Sequence, residues 1–222
     1  MPIDWFPLWL SLRVALCATA ASLVIGVPLA WLLAEGRFRG KTVLAAAVDL
    51  PLVVPSTVLG WYLLVLLARD GILGRWYESV AGAPLLFTWQ AAVVASAMYA
   101  TPLVARSVAA AIAAIDPSIA RSARGLGASH WMAFRSVTVP LIRRPVAGAA
   151  LYAFARSMAE FGVTLLIAGN LPGRTQTLSV AVFDAVAKDN TAAARGLVLA
   201  VSGITLALIA AAHRLHPGMG VK

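Results

Sequence analysis

The sequence predicts an all-α integral membrane protein with five spanning helices, on three observations. Of its 222 residues, 61% are hydrophobic and 12% charged, with a mean hydropathy of +0.86. A soluble domain is nearer half apolar and a quarter charged, so most of this surface faces something other than water. Apolar stretches of bilayer length, where a helix needs about 20 residues, recur at roughly residues 8–33, 43–68, 85–104, 146–167 and 191–212. Basic residues also favour alternate loops. With the N-terminus outside, eleven Lys and Arg fall on the inner side and five on the outer, which orients the chain N-out and C-in. Residues 1–222 then form a single membrane domain.

The first stretch is longer than a signal-peptide core and lacks a basic leader, so it reads as a span. Its Cys17 is the sole cysteine, which excludes an internal disulfide framework. Leu16 before it argues against a lipid-attachment site. The turn that follows, "EGRFRGKT" at residues 35–42, imitates a phosphate-cradling loop. Gly36 and Gly40 enclose three residues where that loop needs four, and no buried strand precedes them. It reads as a positive-inside turn, and the chain shows no nucleotide site of its own.

In the second stretch, Pro51 and Pro55 free backbone groups near Ser56 and Thr57. Hydroxyls and free amides suit a tetrahedral oxyanion, which offers only acceptors. A packing kink explains the same prolines equally well. Asp49 would repel an anion, so it pairs or caps. Arg13 and Arg156 fall within spans.

Between the third and fourth stretches lies a basic segment, residues 116–140. Asp116 is a helix N-cap with Pro117 at the first helical position. Gly125 and Gly127 end that helix. A second short helix, Ser129–Ser136, carries Trp131 and Phe134 on one face, and Pro140 re-enters the next span. In the fourth span Arg156 and Glu160 lie at i and i+4, and intramembrane charges pair and face protein or water. Either the pair is neutralised for packing, or Arg156 attracts a dianion in a pathway. The outer loop "GNLPGRTQT", residues 169–177, is a gate, a docking edge or plain turn chemistry. Arg195 snorkels at the start of the fifth span.

The scattered basic residues form no stripe interleaved with aromatics, which argues against nucleic acid. His213 and His216 are close but lack acidic or cysteine companions, so no zinc site is expected, and His130 stands apart. No catalytic triad or carboxylate pair appears in a loop. An enzyme is not expected.

Residues 121–140 resemble the cytoplasmic coupling loop of type-1 ABC importer permeases, E-A-A-x-x-x-G-x9-I-x-L-P. Arg121-Ser122-Ala123 stand at the E-A-A position, Gly127 at the glycine, and Val137-Thr138-Val139-Pro140 at the I-x-L-P. Arg121 reverses the charge of the family's glutamate, which implies a matching acidic change on the partner. "LPLVVPSTVLGWYLLVLL", residues 50–67, and "AFARSMAEFGVTLLIAGNLPGRTQTL", residues 153–178, are similar to the molybdate branch in particular. The resemblance implies a homodimeric permease in the bacterial cytoplasmic membrane. Two cytoplasmic ATPase subunits would use ATP and Mg, an outer binding protein would deliver molybdate, and this chain would bind no cofactor itself. Tungstate and sulfate are the substrate alternatives. The coupling residues are then Arg121, Ser122, Ala123, Gly127, Ala128 and Pro140. The pathway or its gate draws on Ser56, Thr57, Arg156, Glu160, Thr164, Asn170, Arg174 and Thr175. A secondary anion transporter would call for inverted repeats, and a non-transporting membrane anchor would need no coupling loop; the loop argues against both.

Overall fold

Helix after helix follows the apolar stretches; Pro28, Pro51, Pro102 and Pro145 lie inside helices, whereas Pro55 marks a break. The computed structural model describes residues 4–116, 118–119, 127, 129, 132 and 134–215. Every regular element among them is helical: α1 (Phe6–Glu35), α2 (Lys41–Val53), α3 (Ser56–Leu67), α4 (Ile72–Ala81), α5 (Trp89–Ala113), a π-helical turn (Phe134–Thr138), α6 (Val139–Met158), α7 (Gly162–Ile167), α8 (Leu178–Ala187) and α9 (Thr191–Leu215).

The core is built on α5, which α1 and α6 flank. Lipid is as apolar as leucine, so helices in a bilayer associate through close packing of small residues. Ala15, Ala18, Ser22 and Ala30 of α1 are buried, as are Ala91, Ala92, Ala95 and Ala100 of α5. At Gly26 the approach is closest: a Cβ there would lie 2.9 Å from Cγ1 of Val104. Helix α9 packs on α6 and α8, and α3 packs on α7.

Three of these helices are long and apolar enough to cross a bilayer, Phe6–Glu35, Trp89–Ala113 and Ala194–Ala211 within α9, and the bent pair α2–α3 makes a fourth if it is one span. Two of the five expected spans are therefore not single helices. The stretch 43–68 folds as α2 and α3, bent by 111°. Pro55 has no N–H to donate and pushes Val54 into an extended conformation (φ −72°, ψ 136°). The stretch 146–167 is interrupted at Ala159–Phe161, between α6 and α7. The third expected span, 85–104, begins at Trp89, where the Thr88 hydroxyl accepts the Ala91 N–H at 3.3 Å, and continues to Ala113. Arg106, expected in a loop, lies within this helix because a carboxylate neutralises it, as described below.

In the basic segment, Asp116 caps as expected, accepting the Ser118 N–H at 2.8 Å. Gly127 sits at φ +90°, the left-handed region that favours glycine. Pro117, Arg121, Ser122, Ala123, Gly125, Ala128, His130 and Trp131 lie outside the described residues. The short helix expected over Ser129–Ser136 is replaced at its end by the π-helical turn, which runs directly into α6. Ser129 Oγ accepts the Met132 N–H at 3.1 Å and Ser136 Oγ donates to the Met132 carbonyl at 2.6 Å. Pro140, in the first turn of α6, cannot donate to the Ser136 carbonyl, which favours the wider turn. Phe134 meets Trp31 of α1 edge-on, with ring centroids 6.1 Å apart.

Candidate functional site

Two helix breaks meet inside the bundle. The first is the α2–α3 bend, from which α3 starts at Ser56. The second is the α6–α7 break, from which α7 starts at Gly162. They touch: a Cβ added at Gly162 would lie 2.5 Å from Ser56 Oγ, so only glycine fits without a shift. Ser56 is half-buried, Thr57 exposed, and Thr164 buried in α7.

The α6–α7 break is held by one carboxylate. Glu160 Oε2 accepts from Arg156 Nη1 at 3.0 Å, and Oε1 accepts the Val163 N–H at 3.1 Å. Glu160 is thus both the counter-charge of α6 and the cap of α7. Its side chain is 3% exposed, while that of Arg156 is 31% exposed. The guanidinium also lies over the Tyr99 ring of α5, 4.5 Å from its centroid. Cation–π contact and ion pair together offset the cost of a charge at membrane depth. Expected as a pair from their i, i+4 spacing, Arg156 and Glu160 are one, but Glu160 stands just past the end of α6 rather than within a continuous span.

Asp49 has a partner on another helix. Arg106 Nε donates to its Oδ1 at 2.7 Å, and Arg106 Nη2 bonds Oδ2. Such a two-pronged fork fixes orientation as well as charge. Helix α2 buries none of its residues, so this fork is its chief polar tie to α5.

The loop of residues 169–177 is tied together internally. Gly169 (φ +77°) and Gly173 (φ +70°) supply left-handed corners. Thr175, 2% exposed, accepts the Leu171 N–H at 3.3 Å. Gln176 Nε2 donates to Asn170 Oδ1 at 2.8 Å, and Asn170 Nδ2 donates to Asp184 Oδ1 at 3.0 Å. Lys188 Nζ completes the chain at 2.7 Å from Asp184 Oδ2. The Lys188 ammonium, with help from Asn170 and Gln176, holds the Asp184 carboxyl below the usual carboxylate range. Thr175 and Asn170 are therefore committed to the loop's own shape, whereas Arg174 is exposed.

The structure brings Ser56, Arg156, Glu160 and Thr164 to the two breaks and leaves Asn170, Arg174 and Thr175 in the loop. Sequence reasoning missed Tyr99 and Arg106. For Arg106 a signal existed, since Asp49 needed a cation at membrane depth; for Tyr99 there was none. Chemically, a guanidinium and hydroxyls beside a broken helix offer hydrogen-bond donors to an acceptor-only ligand. A cleft of about 340 Å³ between α1, α2 and α5, lined by Leu29, Leu44, Pro51 and Met98 among others, is mostly apolar, and the hydroxyl of Thr101 in its lining donates to the Ala97 carbonyl.

The sequence profile of the binding-protein-dependent transport system inner membrane components matches residues 26–220. The chain is 36% identical over 208 residues to the molybdenum transport system permease protein ModB of Escherichia coli (strain K12), covering 93% of this chain and 90% of that one. It is 32% identical over 211 residues to the sulfate transport system permease protein CysT of the same organism, covering 95% and 76% respectively. Among solved structures, a bacterial alginate ABC transporter in complex with an alginate pentasaccharide-bound periplasmic protein superimposes with a TM-score of 0.68 at 16% identity. The match covers 100% of this chain and 85% of that one, and at that identity it shows a shared fold.

Proposed function

We propose a specific transport role for a chain that belongs to the family of binding-protein-dependent transport system inner membrane components: it is the permease subunit through which an ATP-driven importer carries molybdate across the bacterial inner membrane. The observation that supports this best is the likeness over nearly the whole chain to a permease named for molybdenum, which exceeds the likeness to one named for sulfate. Sulfate and tungstate have the same tetrahedral, acceptor-only chemistry and form the second reading.

On this reading two copies of the chain enclose the pathway, with the N-terminus outside and the C-terminus inside. An outer binding protein delivers the anion, and two ATPase subunits dock on residues 116–140. Gly127 is the corner of that lever. No described atom lies within 4 Å of a Cβ placed there, yet at φ +90° any side chain strains the backbone, so a bulky residue would both deform this corner and meet a docked ATPase. Closure of the ATPase pair tilts α5 and α6, which flank the lever. The two breaks where α3 meets α7 convert that tilt into opening of the pathway. Ser56, Thr57, Arg156 and Thr164 are the donors nearest those breaks, and Arg174 is the exposed cation of the outer loop.

The test is uptake of radiolabelled molybdate into proteoliposomes that hold this chain with its ATPase and binding protein. Wild type should accumulate molybdate only with ATP, and excess sulfate should compete weakly. Gly127→Trp should insert normally yet lose at least tenfold in uptake. Uptake without ATP, or full uptake by Gly127→Trp, would refute the reading.

A further inference from the structure

We propose that Glu160 is a resident anion: its carboxylate holds the Arg156 guanidinium while the pathway is empty, and an incoming oxyanion must displace it. The inference rests on the reading above and sharpens it by naming what sets substrate affinity in this subunit.

Both Glu160 oxygens are occupied, one by Arg156 at 3.0 Å and the other by the Val163 N–H at 3.1 Å, in a side chain that is 3% exposed. The packing against Ser56 puts this carboxylate where α3 and α7 begin, at the interruption of two otherwise apolar stretches. A carboxylate is acceptor-only, as is a molybdate or sulfate dianion, so the two compete for the same N–H groups. Arg156 is about a third exposed, so a ligand can reach the guanidinium that Glu160 holds. A packing device has no use for that opening. A carrier does, because an unmasked arginine at membrane depth would bind a dianion too tightly to release it, and conduction needs sites that are entered and left. Tyr99, stacked over the guanidinium, keeps it in place during the exchange. Glu160 is thus a positioning and affinity-setting residue that acts through Arg156.

The experiment measures equilibrium binding of radiolabelled molybdate, and separately of sulfate, to the permease–ATPase complex in nanodiscs without binding protein, alongside uptake in proteoliposomes. Glu160→Gln keeps an acceptor for Val163 but removes the competing charge. It should bind molybdate at least tenfold tighter than wild type, gain sulfate binding, and turn over more slowly. Arg156→Gln should lose binding in either background. Equal binding by wild type and Glu160→Gln, or wild-type uptake by Arg156→Gln, overturns the proposal. Should Glu160→Gln not assemble, Glu160→Asp serves, because the shorter acid cannot reach both partners: binding at least threefold tighter supports the idea and unchanged binding sinks it. If wild type carries sulfate but no molybdate, the substrate reading fails on its own and the same comparison is made with sulfate.

Discussion

At Gly162 one methyl group decides whether two broken helices touch. A Cβ there would press on Ser56 Oγ at 2.5 Å, and overpacking of this kind costs about 1–3 kcal/mol. Gly162→Ala should therefore lower the thermal unfolding midpoint in detergent, and the double variant Ser56→Gly, Gly162→Ala should recover most of the loss. Equal midpoints for Gly162→Ala and wild type would show that the breaks do not need this contact. The hydroxyls tell a related story. Ser11 accepts the Leu178 N–H at 2.7 Å, and Ser179 donates to the Met158 carbonyl at 3.2 Å, so these small polar residues stitch helix ends that lack partners of their own. Arg156 and Glu160 could be read as a pair from their spacing alone. That Glu160 also caps α7 could not, since α6 ends at Met158, four residues before the only glycine in "RSMAEFG".

Among the elements, α2 is weakly held. It buries no residue, follows a left-handed Gly40 (φ +96°), and ends at a proline bend. Its fork to Arg106 is a largely exposed pair, of the kind that contributes up to about 1 kcal/mol. Asp49→Asn or Arg106→Gln should each lower stability by up to about 1 kcal/mol in detergent. The exchange Asp49→Arg with Arg106→Asp should restore more than half of it. Additive losses in the exchanged variant would mean that the two side chains do not act as a pair. Helix α4 is different in kind: it alternates Trp76 and Ile72, both exposed, with Arg75 and Glu78, so it suits a membrane–water boundary and not a span.

Over the whole molecule, α5 is the axis on which α1 and α6 pack, and the breaks in α2–α3 and α6–α7 lie alongside it. Orientation gives the clearest test at this scale. In a variant with Cys17 replaced by serine, a cysteine at Arg174 should react with an impermeant maleimide in intact spheroplasts. A cysteine at Ser129 should react only after permeabilisation. The reverse pattern would invert the chain and refute the proposed docking of an ATPase on residues 116–140.

What the sequence determined by itself was the class: helices and a bilayer. Length, apolarity and the conformational preferences of glycine and proline are properties of neighbours along the chain, so they can be read there. Only the tertiary structure decided that two of the expected spans are broken, that Asp49 belongs to Arg106 across 57 positions, and that one carboxylate serves two helices at once. Those outcomes depend on which surfaces meet. Near membrane depth a charge or a free N–H must find its partner wherever the fold brings one, and sequence spacing does not record that distance.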